Sequence, residues 1–174
     1  SWTRQSSGVQ TNLFAVDFAS SRLGWAVGDS RTILNTTDGG TTWTIPPISP
    51  QAYHRSSSQI LYDVCFTDSA TGWIADITGS LLRTTDRGQS WTRIDALRRY
   101  GWIGLTRIGA YSSKSLLACG NYGALVVSTD GGTTWLRRTP NLPPEILHTS
   151  RNIVATIPGL VTPEKECVIV AHYD

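Results

Sequence analysis

Apolar residues recur at every second position in three parts of the chain, which is the period of a half-buried β-strand. In the first part, Phe14, Val16 and Phe18 alternate with Ala15 and Asp17. Two short apolar runs follow each of these segments, and a tryptophan then begins a fourth. The pattern predicts three units of four antiparallel strands. The second and third strands are predicted at 23–28 and 32–37, at 71–76 and 80–85, and at 115–120 and 124–129.

The three units are repeats of one sequence motif. Stretches of 31 residues, 13–43, 61–91 and 105–135, align without a gap. Their signature aspartates lie 48 and then 44 residues apart, a period that fits β-propeller blades of roughly 40–50 residues. We therefore expect an all-β fold of three complete four-stranded blades, preceded by the outer strand of another blade. The predicted boundaries are 1–12 for the outer strand and 13–47, 60–95 and 105–140 for the blades.

Each repeat ends in a turn whose residues have separate roles. The endings read NTTDGGTTW, RTTDRGQSW and VSTDGGTTW. The aspartate is expected to accept hydrogen bonds from backbone N–H groups two or three residues later, and the glycine to supply a positive φ. The hydroxyl residue before the tryptophan can bond back across the turn, and the indole buries a large apolar area. The predicted structural residues are Asp38, Gly40 and Trp43, Asp86, Gly88 and Trp91, and Asp130, Gly132 and Trp135.

The turn pattern S/T-x-D-x-G-x-S/T-W resembles the Asp-box (BNR) repeat of sialidases, sortilin-type receptors and other propellers. The longer run GWAVGDSRTILNTTDGGTTW resembles the propeller family of photosystem II assembly and stability factors. The resemblance covers about residues 1–140. It implies Asp boxes with a structural role at the blade periphery and a scaffold that binds a protein or peptide partner.

Two positions depart from the repeat. Leu117 stands where the other repeats have Trp25 and Trp73, and Arg31 stands where they have glycine. No sialidase arginine triad, nucleophilic tyrosine or acid motif can be assigned in this sequence. A glycosidase site within the propeller is therefore the least supported of the functions considered.

Three blades and one strand fall short of the roughly four to eight blades that close a propeller ring. Ser1 and Trp2 match the end of an Asp box, and an open ring exposes unpaired strand edges. Three arrangements stay open. The chain is excised from a larger propeller, which we favour; or two copies associate to close one ring; or the C-terminal strands join residues 2–5 in a fourth sheet.

The sequence changes in character after Pro140. Residues 141–151 predict a proline-interrupted linker, and NIVATIPG and ECVIVAHYD predict two strands within 152–174. These strands resemble the start of the catalytic domain of di-zinc aminopeptidases. The resemblance implies that His172 is a first zinc ligand and that Asp174 orients its imidazole. No further ligand or catalytic residue can be matched, so we expect zinc only in a parent protein, no cofactor in this chain and no activity of the chain alone.

Composition narrows the classes of partner. Charged residues are 16% and hydrophobic residues 40% of the chain, the net charge is +2, and no apolar run approaches the roughly 20 residues of a membrane span. Neither nucleic acid nor a membrane span is therefore expected. Cys65 and Cys167 lie in apolar runs and are predicted to pack in the interior, with one disulfide left open. The location is undetermined, and secretion or a periplasmic location fits both families.

One loop offers a candidate partner site. RRYGW places Arg98 and Arg99 beside Tyr100 and Trp102, and aromatic and arginine side chains are enriched in interface hot spots. The alternative is a solvated loop whose aromatic rings pack on the next blade. The function expected first is a protein-interaction module of a larger zinc aminopeptidase-like protein; the alternative is a stand-alone scaffold that resembles the photosystem II assembly factors.

Overall fold

A computed structural model describes residues 3–46, 59–94, 97, 100 and 104–138, together with the backbone of 152–158 and 166–172. Regular structure in these ranges is almost entirely β-strand, and no described helix is long and apolar enough to cross a membrane. The strands are β1 Leu13–Phe18, β2 Gly24–Gly28, β3 Ile33–Thr36, β4 Leu61–Phe66, β5 Gly72–Asp76, β6 Leu81–Thr84, β7 Thr92–Ile94, β8 Leu105–Ala110, β9 Leu116–Gly120, β10 Ala124–Ser128, β11 Leu136–Arg137, β12 Asn152–Pro158 and β13 Glu166–His172.

Strands β1 to β11 form three successive antiparallel sheets in which the chain order is also the sheet order. The sheets are β1-β2-β3, β4-β5-β6-β7 and β8-β9-β10-β11. The first strand of each sheet lies beside the first strand of the next, as the innermost strands of propeller blades do. The predicted all-β fold of propeller blades is confirmed.

The N-terminal part of this arrangement is less regular than predicted. The first sheet has three strands, and its expected fourth strand is reduced to one bridge between Asn35 and Thr44. Residues 3–5, expected in the outer strand of another blade, are not in a strand. A strand is held by pairing with a neighbour, and no described strand pairs with these residues.

Tryptophans from the second strands hold neighbouring blades together. Trp25 of the first blade stacks on Phe66 of the second, with ring centroids 3.7 Å apart and an interplanar angle of 16°. Trp73 of the second blade meets Trp135 of the third edge-on, with centroids 5.8 Å apart. Trp25 and Trp73 are fully buried, and each belongs to an apolar cluster that spans one blade-to-blade interface.

The Asp-box tryptophans fall into two groups. Trp91 and Trp135 are 2% and 0% exposed, as predicted. Trp43 is only half-buried, which corrects the expectation that it buries as large an area as the others. Trp91 and Trp135 lie at interfaces that receive an indole from the preceding blade, whereas the ring contact of Trp43 within the described residues is an edge contact with Phe18 of its own blade.

Carboxylates join the innermost strands. Asp17 Oδ2 accepts the backbone N–H of Phe66 at 2.6 Å, and Asp63 Oδ2 accepts that of Ile108 at 2.9 Å. Burial raises the pKa of Asp63, although the Ile108 hydrogen bond and the charge of Arg107 act in the opposite sense. Each of the first two blades therefore satisfies an otherwise unpaired N–H group on the inner edge of the next blade.

The cysteines in the described blades are free thiols. Cys119 is buried and Cys65 is half-buried against the interface between the second and third blades, so the predicted interior packing holds only in part for Cys65. Burial raises the pKa of Cys65 to about 11 and also raises that of Cys119. The side chain of Cys167 lies outside the described residues.

The C-terminal strands form where they were predicted. β12 and β13 pair antiparallel from Asn152 opposite His172 to Pro158 opposite Glu166, in a two-stranded sheet of their own. This pairing corrects the alternative in which the two strands join residues 2–5, since the described residues 3–5 take no part in any sheet.

Candidate functional site

The turns of the blades lie at two opposite ends of the sheets, because consecutive antiparallel strands turn at alternate ends. The Asp boxes and the turns between the first and second strands share one end, which we call the Asp-box end. They are joined there by backbone hydrogen bonds such as Gly39 N–H to Arg22 O at 2.9 Å. The turns between the second and third strands, at 28–32, 76–80 and 120–124, lie at the other end, which we call the hairpin end.

The Asp box of the first blade is a closed hydrogen-bond network. The backbone N–H of Thr42 donates to Asp38 Oδ1 at 2.9 Å, and the Thr42 hydroxyl donates to Oδ2 at 2.6 Å. The buried Thr36 hydroxyl donates to Asp38 Oδ1 at 2.8 Å and accepts the N–H of Gly40 at 2.9 Å. The main bonds to the carboxylate thus come from the residue four positions later, and the predicted backbone N–H three positions later, that of Thr41, contributes less. Gly39 and Gly40, with φ of 76° and 91°, turn the chain back toward the Asp38 carboxylate.

The same network recurs in the other two boxes. Asp86 accepts the N–H and hydroxyl of Ser90 at 2.9 and 2.5 Å, and Asp130 Oδ1 and Oδ2 accept the N–H and hydroxyl of Thr134 at the same distances. Thr84 and Ser128 take the place of Thr36, with hydroxyls 2.7 and 2.8 Å from the carboxylates. The predicted back-bonding hydroxyls and positive-φ glycines are confirmed.

These hydrogen bonds hold the Asp-box carboxylates in the charged form. The Thr42 hydroxyl and N–H lower the pKa of Asp38 to about 2, and those of Thr134 do the same for Asp130. Burial alone raises the pKa of Asp86, but the bonds from Ser90 and Thr84 outweigh it and the net direction is downward. Because the Asp oxygens already accept hydrogen bonds from their own turns, they fit the structural role predicted for them.

The hairpin end carries strained turn tips. Four non-glycine residues in the described chain have positive φ, and three of them, Ser30, Arg31 and Tyr122, form tips at this end. Arg31 has φ 63°, the conformation that glycine adopts at this position in the other blades. A left-handed non-glycine residue costs on the order of 1–3 kcal/mol, and such residues cluster at functional sites. Strain therefore marks the hairpin end as a candidate for binding.

Tyr122 is the most exposed large side chain among the exposed hydrophobic residues of the described blades, at 78%. Its tip is held against the innermost strand of its blade, because the N–H of Asn121 donates to Gly104 O at 2.8 Å. A wide aromatic side chain on a rigid, solvent-facing tip has the properties of an interface anchor.

A buried polar cluster distinguishes the second blade at this end. Asp76 is fully buried where the other blades have Gly28 and Gly120. Its carboxylate accepts the side-chain amide of Gln59 on Oδ2, and on Oδ1 it accepts the hydroxyl of Thr78 and its N–H, the latter at 2.5 Å. The cluster holds the 76–80 turn to the start of the innermost strand.

The neighbouring Ser80 extends this cluster outward. Arg93 of β7 donates from Nε and Nη2 to Ser80 Oγ at 2.9 and 2.6 Å. The guanidinium is thereby held beside the 76–80 turn. No motif in the sequence pointed to Asp76 or Arg93. The one sequence feature that could have indicated this cluster is Asp76 itself, which stands where the other two repeats have glycine.

The predicted partner loop is described at one residue only. Tyr100 is half-buried, packs against the cluster between the second and third blades, and donates its hydroxyl to the Trp135 carbonyl at 3.2 Å. Arg98, Arg99 and Trp102 lie outside the described residues. The docking role of this loop therefore stays a prediction, and Tyr100 itself is placed for packing.

The structure does not describe the side chains of the predicted zinc-binding residues. His172 is the last residue of β13, and Asp174 lies outside the described residues. Among the described blades, no three His, Cys, Asp or Glu side chains form a group that could hold a metal ion. The resemblance of 152–174 to aminopeptidases stays a prediction that rests on the sequence.

Comparison with known proteins covers the blades. A solved structure of YCF48 bound to D1 peptide matches with a TM-score of 0.64 and 29% identity, over 73% of this chain and 40% of that one. YCF48 from Cyanidioschyzon merolae matches with a TM-score of 0.59 and 26% identity, over 74% of this chain and 38% of that one. The chain thus spans about 40% of the length of these structures. No curated protein sequence matches it.

The family-level match is broader and includes all three Asp boxes. The model of the photosynthesis system II assembly factor YCF48 matches residues 1–137, which is most of the chain. The blades, the spacing of their turns and this match agree on one conclusion: the chain belongs to the YCF48 family of photosystem II assembly factors.

Proposed function

We propose that this chain is a non-catalytic scaffold that binds a segment of a protein partner at its hairpin end. The observation that carries the proposal is the exposed Tyr122 on a left-handed tip, at the end of the blades where the three repeats diverge. The Asp-box end offers less to a partner, since its carboxylates are already bonded within their own turns.

The family supports a peptide as the partner. A solved YCF48 structure contains a bound D1 peptide, so a propeller of this kind can hold a protein segment. For this chain, a D1-type peptide is the first candidate. Tyr122 supplies an aromatic contact, and the rigid Asp76 cluster supplies a preorganised neighbouring turn, so little ordering is required when the partner binds.

Two exposed tyrosines of the third blade allow a matched test. Tyr122 lies at the hairpin end, and Tyr111, 49% exposed, lies in the turn between β8 and β9 at the Asp-box end. We expect Tyr122→Ala to weaken binding of a labelled D1 peptide by about tenfold, as loss of a hot-spot aromatic does. Tyr111→Ala should leave the affinity within about twofold, as expected for a residue outside the interface.

Fluorescence anisotropy of the labelled peptide measures both variants, with circular dichroism to show that each is folded. Unchanged affinity in Tyr122→Ala, or an equal loss in Tyr111→Ala, would contradict the assignment of the hairpin end.

A more specific proposal is that the chain is part of a larger zinc aminopeptidase-like protein. Its support is the order and spacing of the last two predicted strands in the sequence, NIVATIPG and ECVIVAHYD. We expect the present chain to show no hydrolysis of aminoacyl-nitroanilides with or without added zinc, since the sequence matches only one zinc ligand, His172, and one histidine does not complete the three-ligand set of a catalytic zinc site. A chelator-sensitive rate from the purified chain would show that this expectation is wrong.

A further inference from the structure

The first and second turns at the hairpin end are bonded to each other, although they belong to different blades. The backbone N–H of Arg31, in the first turn, donates to the carbonyl oxygen of Gln59 at 3.0 Å. Gln59 lies two residues before β4, the innermost strand of the second blade. In the second turn the corresponding N–H, that of Gly79, donates within its own turn to Asp76 O at 3.1 Å. The first turn is therefore held partly from outside its own blade.

The part of the first turn that is held in this way is its strained tip. Ser30 and Arg31, which we call the first tip, have φ of 54° and 63°, a left-handed conformation that is unfavourable for L-residues. The start of the same turn is bonded within its own blade, because Asp29 N–H donates to Asn12 O at 2.9 Å. The equivalent bond within the blade recurs in the second and third turns. The bond to Gln59 is thus an addition that supports the first tip.

Asp76 fixes the residue that accepts this bond. Gln59 is 1% exposed, and its side-chain amide donates to Oδ2 of the fully buried Asp76. The other oxygen of the carboxylate accepts the N–H and the hydroxyl of Thr78. Because the side chain of Gln59 is held in the interior from its far end, its backbone carbonyl has little freedom to move away from Arg31.

The departure from glycine at position 76 accounts for this contact. A Cβ atom on Gly28 would collide with the carbonyl oxygen of Asn12, and the third turn has the same close approach at Gly120. Asp76 carries a Cβ atom, so the chain ahead of β4 cannot approach the second turn as closely. The carboxylate instead bonds to the side chain of Gln59. The second blade therefore has a side-chain contact at the point where the other two have a close backbone approach.

We propose that Asp76, acting through Gln59, is a positioning residue for the first tip, and that this tip is a second contact of the partner segment. The inference rests on the proposed binding at the hairpin end. It adds that a residue of the second blade sets the part of the surface that the first blade supplies. Because the tip is already held in the free protein, binding of the partner does not have to order it.

The first experiment measures amide hydrogen exchange in the full chain without a partner. The test variant is Asp76→Gly with Gln59→Thr, which gives the second blade the residues that the first blade has at 28 and 11. The Asp29 N–H is the matched control, since it lies in the same turn, is bonded within its own blade and reports any general loss of stability. We expect the ratio of the Arg31 rate to the Asp29 rate to rise at least about tenfold, as loss of one hydrogen bond allows.

Asp76→Asn is the conservative variant. The asparagine oxygen can still accept from Thr78, and the asparagine amide can bond to Gln59, because a glutamine side chain presents a donor or an acceptor according to its orientation. The ratio of the two exchange rates should therefore stay within about twofold of the value for the unmodified chain. General destabilisation would move the rates of Arg31 and Asp29 together in either variant.

The second experiment measures binding of the labelled D1 peptide. We expect the double variant to bind about fivefold more weakly, because its first tip is no longer held in place, and Asp76→Asn to bind within about twofold of the unmodified chain. A titration of the unmodified chain decides the matter if the double variant does not fold. The peptide should shift the amide resonances of Ser30 and Arg31, and not those of Ser21 and Arg22, which lie at the Asp-box end of the same blade.

Three results would overturn the proposal. An unchanged ratio of exchange rates in the folded double variant would show that Asp76 and Gln59 do not hold the first tip. A raised ratio with unchanged affinity, or tip resonances that do not shift in the titration, would show that the partner does not contact the tip. These results are separate from the Tyr122 test. If only Tyr122→Ala loses affinity, the proposed function stands without the positioning role, and if Tyr122→Ala binds normally, the assignment of the hairpin end is itself wrong.

Discussion

The second glycines of the Asp boxes allow the packing between blades to be tested with three matched substitutions. Gly40, Gly88 and Gly132 have φ of +91°, +73° and +80°, so alanine at each must take the left-handed conformation. That conformation costs about 1–2 kcal/mol for an L-residue, and about 0.4–1 kcal/mol is recovered because alanine restricts the unfolded chain. The backbone term is therefore about 1 kcal/mol and is similar at all three positions.

The sites differ in what the new methyl group meets. At Gly40 the nearest described atoms are at 3.7 Å, whereas at Gly88 and Gly132 a buried indole lies at 2.3 and 2.1 Å. Overpacking of a close-packed interface adds about 1–3 kcal/mol. We expect Gly40→Ala to lower the free energy of unfolding by about 1 kcal/mol, and Gly88→Ala and Gly132→Ala by about 2–4 kcal/mol each.

Urea unfolding followed by circular dichroism measures all three variants, and the m-value shows whether each unfolds with the same exposed surface. A double variant adds a check, since Trp73→Leu removes the indole that Gly132→Ala displaces. The loss in the double variant should then be smaller than the sum of the single losses. Equal losses at the three glycines, or strict additivity in the double variant, would refute the packing of a tryptophan against the second glycine of the next Asp box.

Three further predictions concern charged side chains. The lowered pKa values of Asp38, Asp86 and Asp130 stabilise the fold above pH 3.8, and this stability is lost as the pH falls through the lowered pKa values, about 2 for Asp38 and Asp130. A triple Asn variant measured by urea unfolding should be less stable at pH 7 and lose that pH dependence. Arg87→Gly should raise the unfolding free energy by about 0.5 kcal/mol in the same assay, because Arg87 has φ 63°. Asp76→Ala should lower it by about 2–4 kcal/mol, because buried donors lose their acceptor; a loss below about 0.5 kcal/mol would show that the cluster is not formed.

The blades could be predicted from the sequence because each strand and each turn is specified by its own local pattern. Alternation at 13–18 and the Asp-Gly turn at 38–40 place a strand and a turn without reference to the rest of the chain. The observed strand Leu13–Phe18 follows that alternation. The predicted fourth strand of the first blade is reduced to the bridge between Asn35 and Thr44, because whether residues after Trp43 pair over several positions depends on tertiary support and not on their own pattern.

The contacts between blades could not be predicted in the same way. Trp25 and Trp73 were predicted only as residues of a strand. The glycines against which they pack lie about sixty residues later in the chain (63 from Trp25 to Gly88, and 59 from Trp73 to Gly132). Gly88 was expected to be required for its positive φ, and the structure adds a second reason, the indole against it. The hairpin end was missed because no local rule predicts a buried carboxylate such as Asp76 at a position that is glycine in the other repeats.

The two ends of the blades tolerate change differently for a physical reason. At the Asp-box end the second glycine serves its own turn and, at Gly88 and Gly132, the indole of the preceding blade, and it is glycine in all three repeats. The first glycine serves the turn alone, because a Cβ on Gly131 would meet only the Ser113 carbonyl, at 3.3 Å, and there the second repeat has Arg87. At the hairpin end the third turn is held within its own blade, because Asn121 N–H donates to Gly104 O, whereas the first turn reaches the start of the second blade through the bond from Arg31 N–H to Gln59 O. Substitutions of the exposed Tyr122 therefore disturb one described blade only, so this side chain can be selected for recognition without loss of the packing between blades.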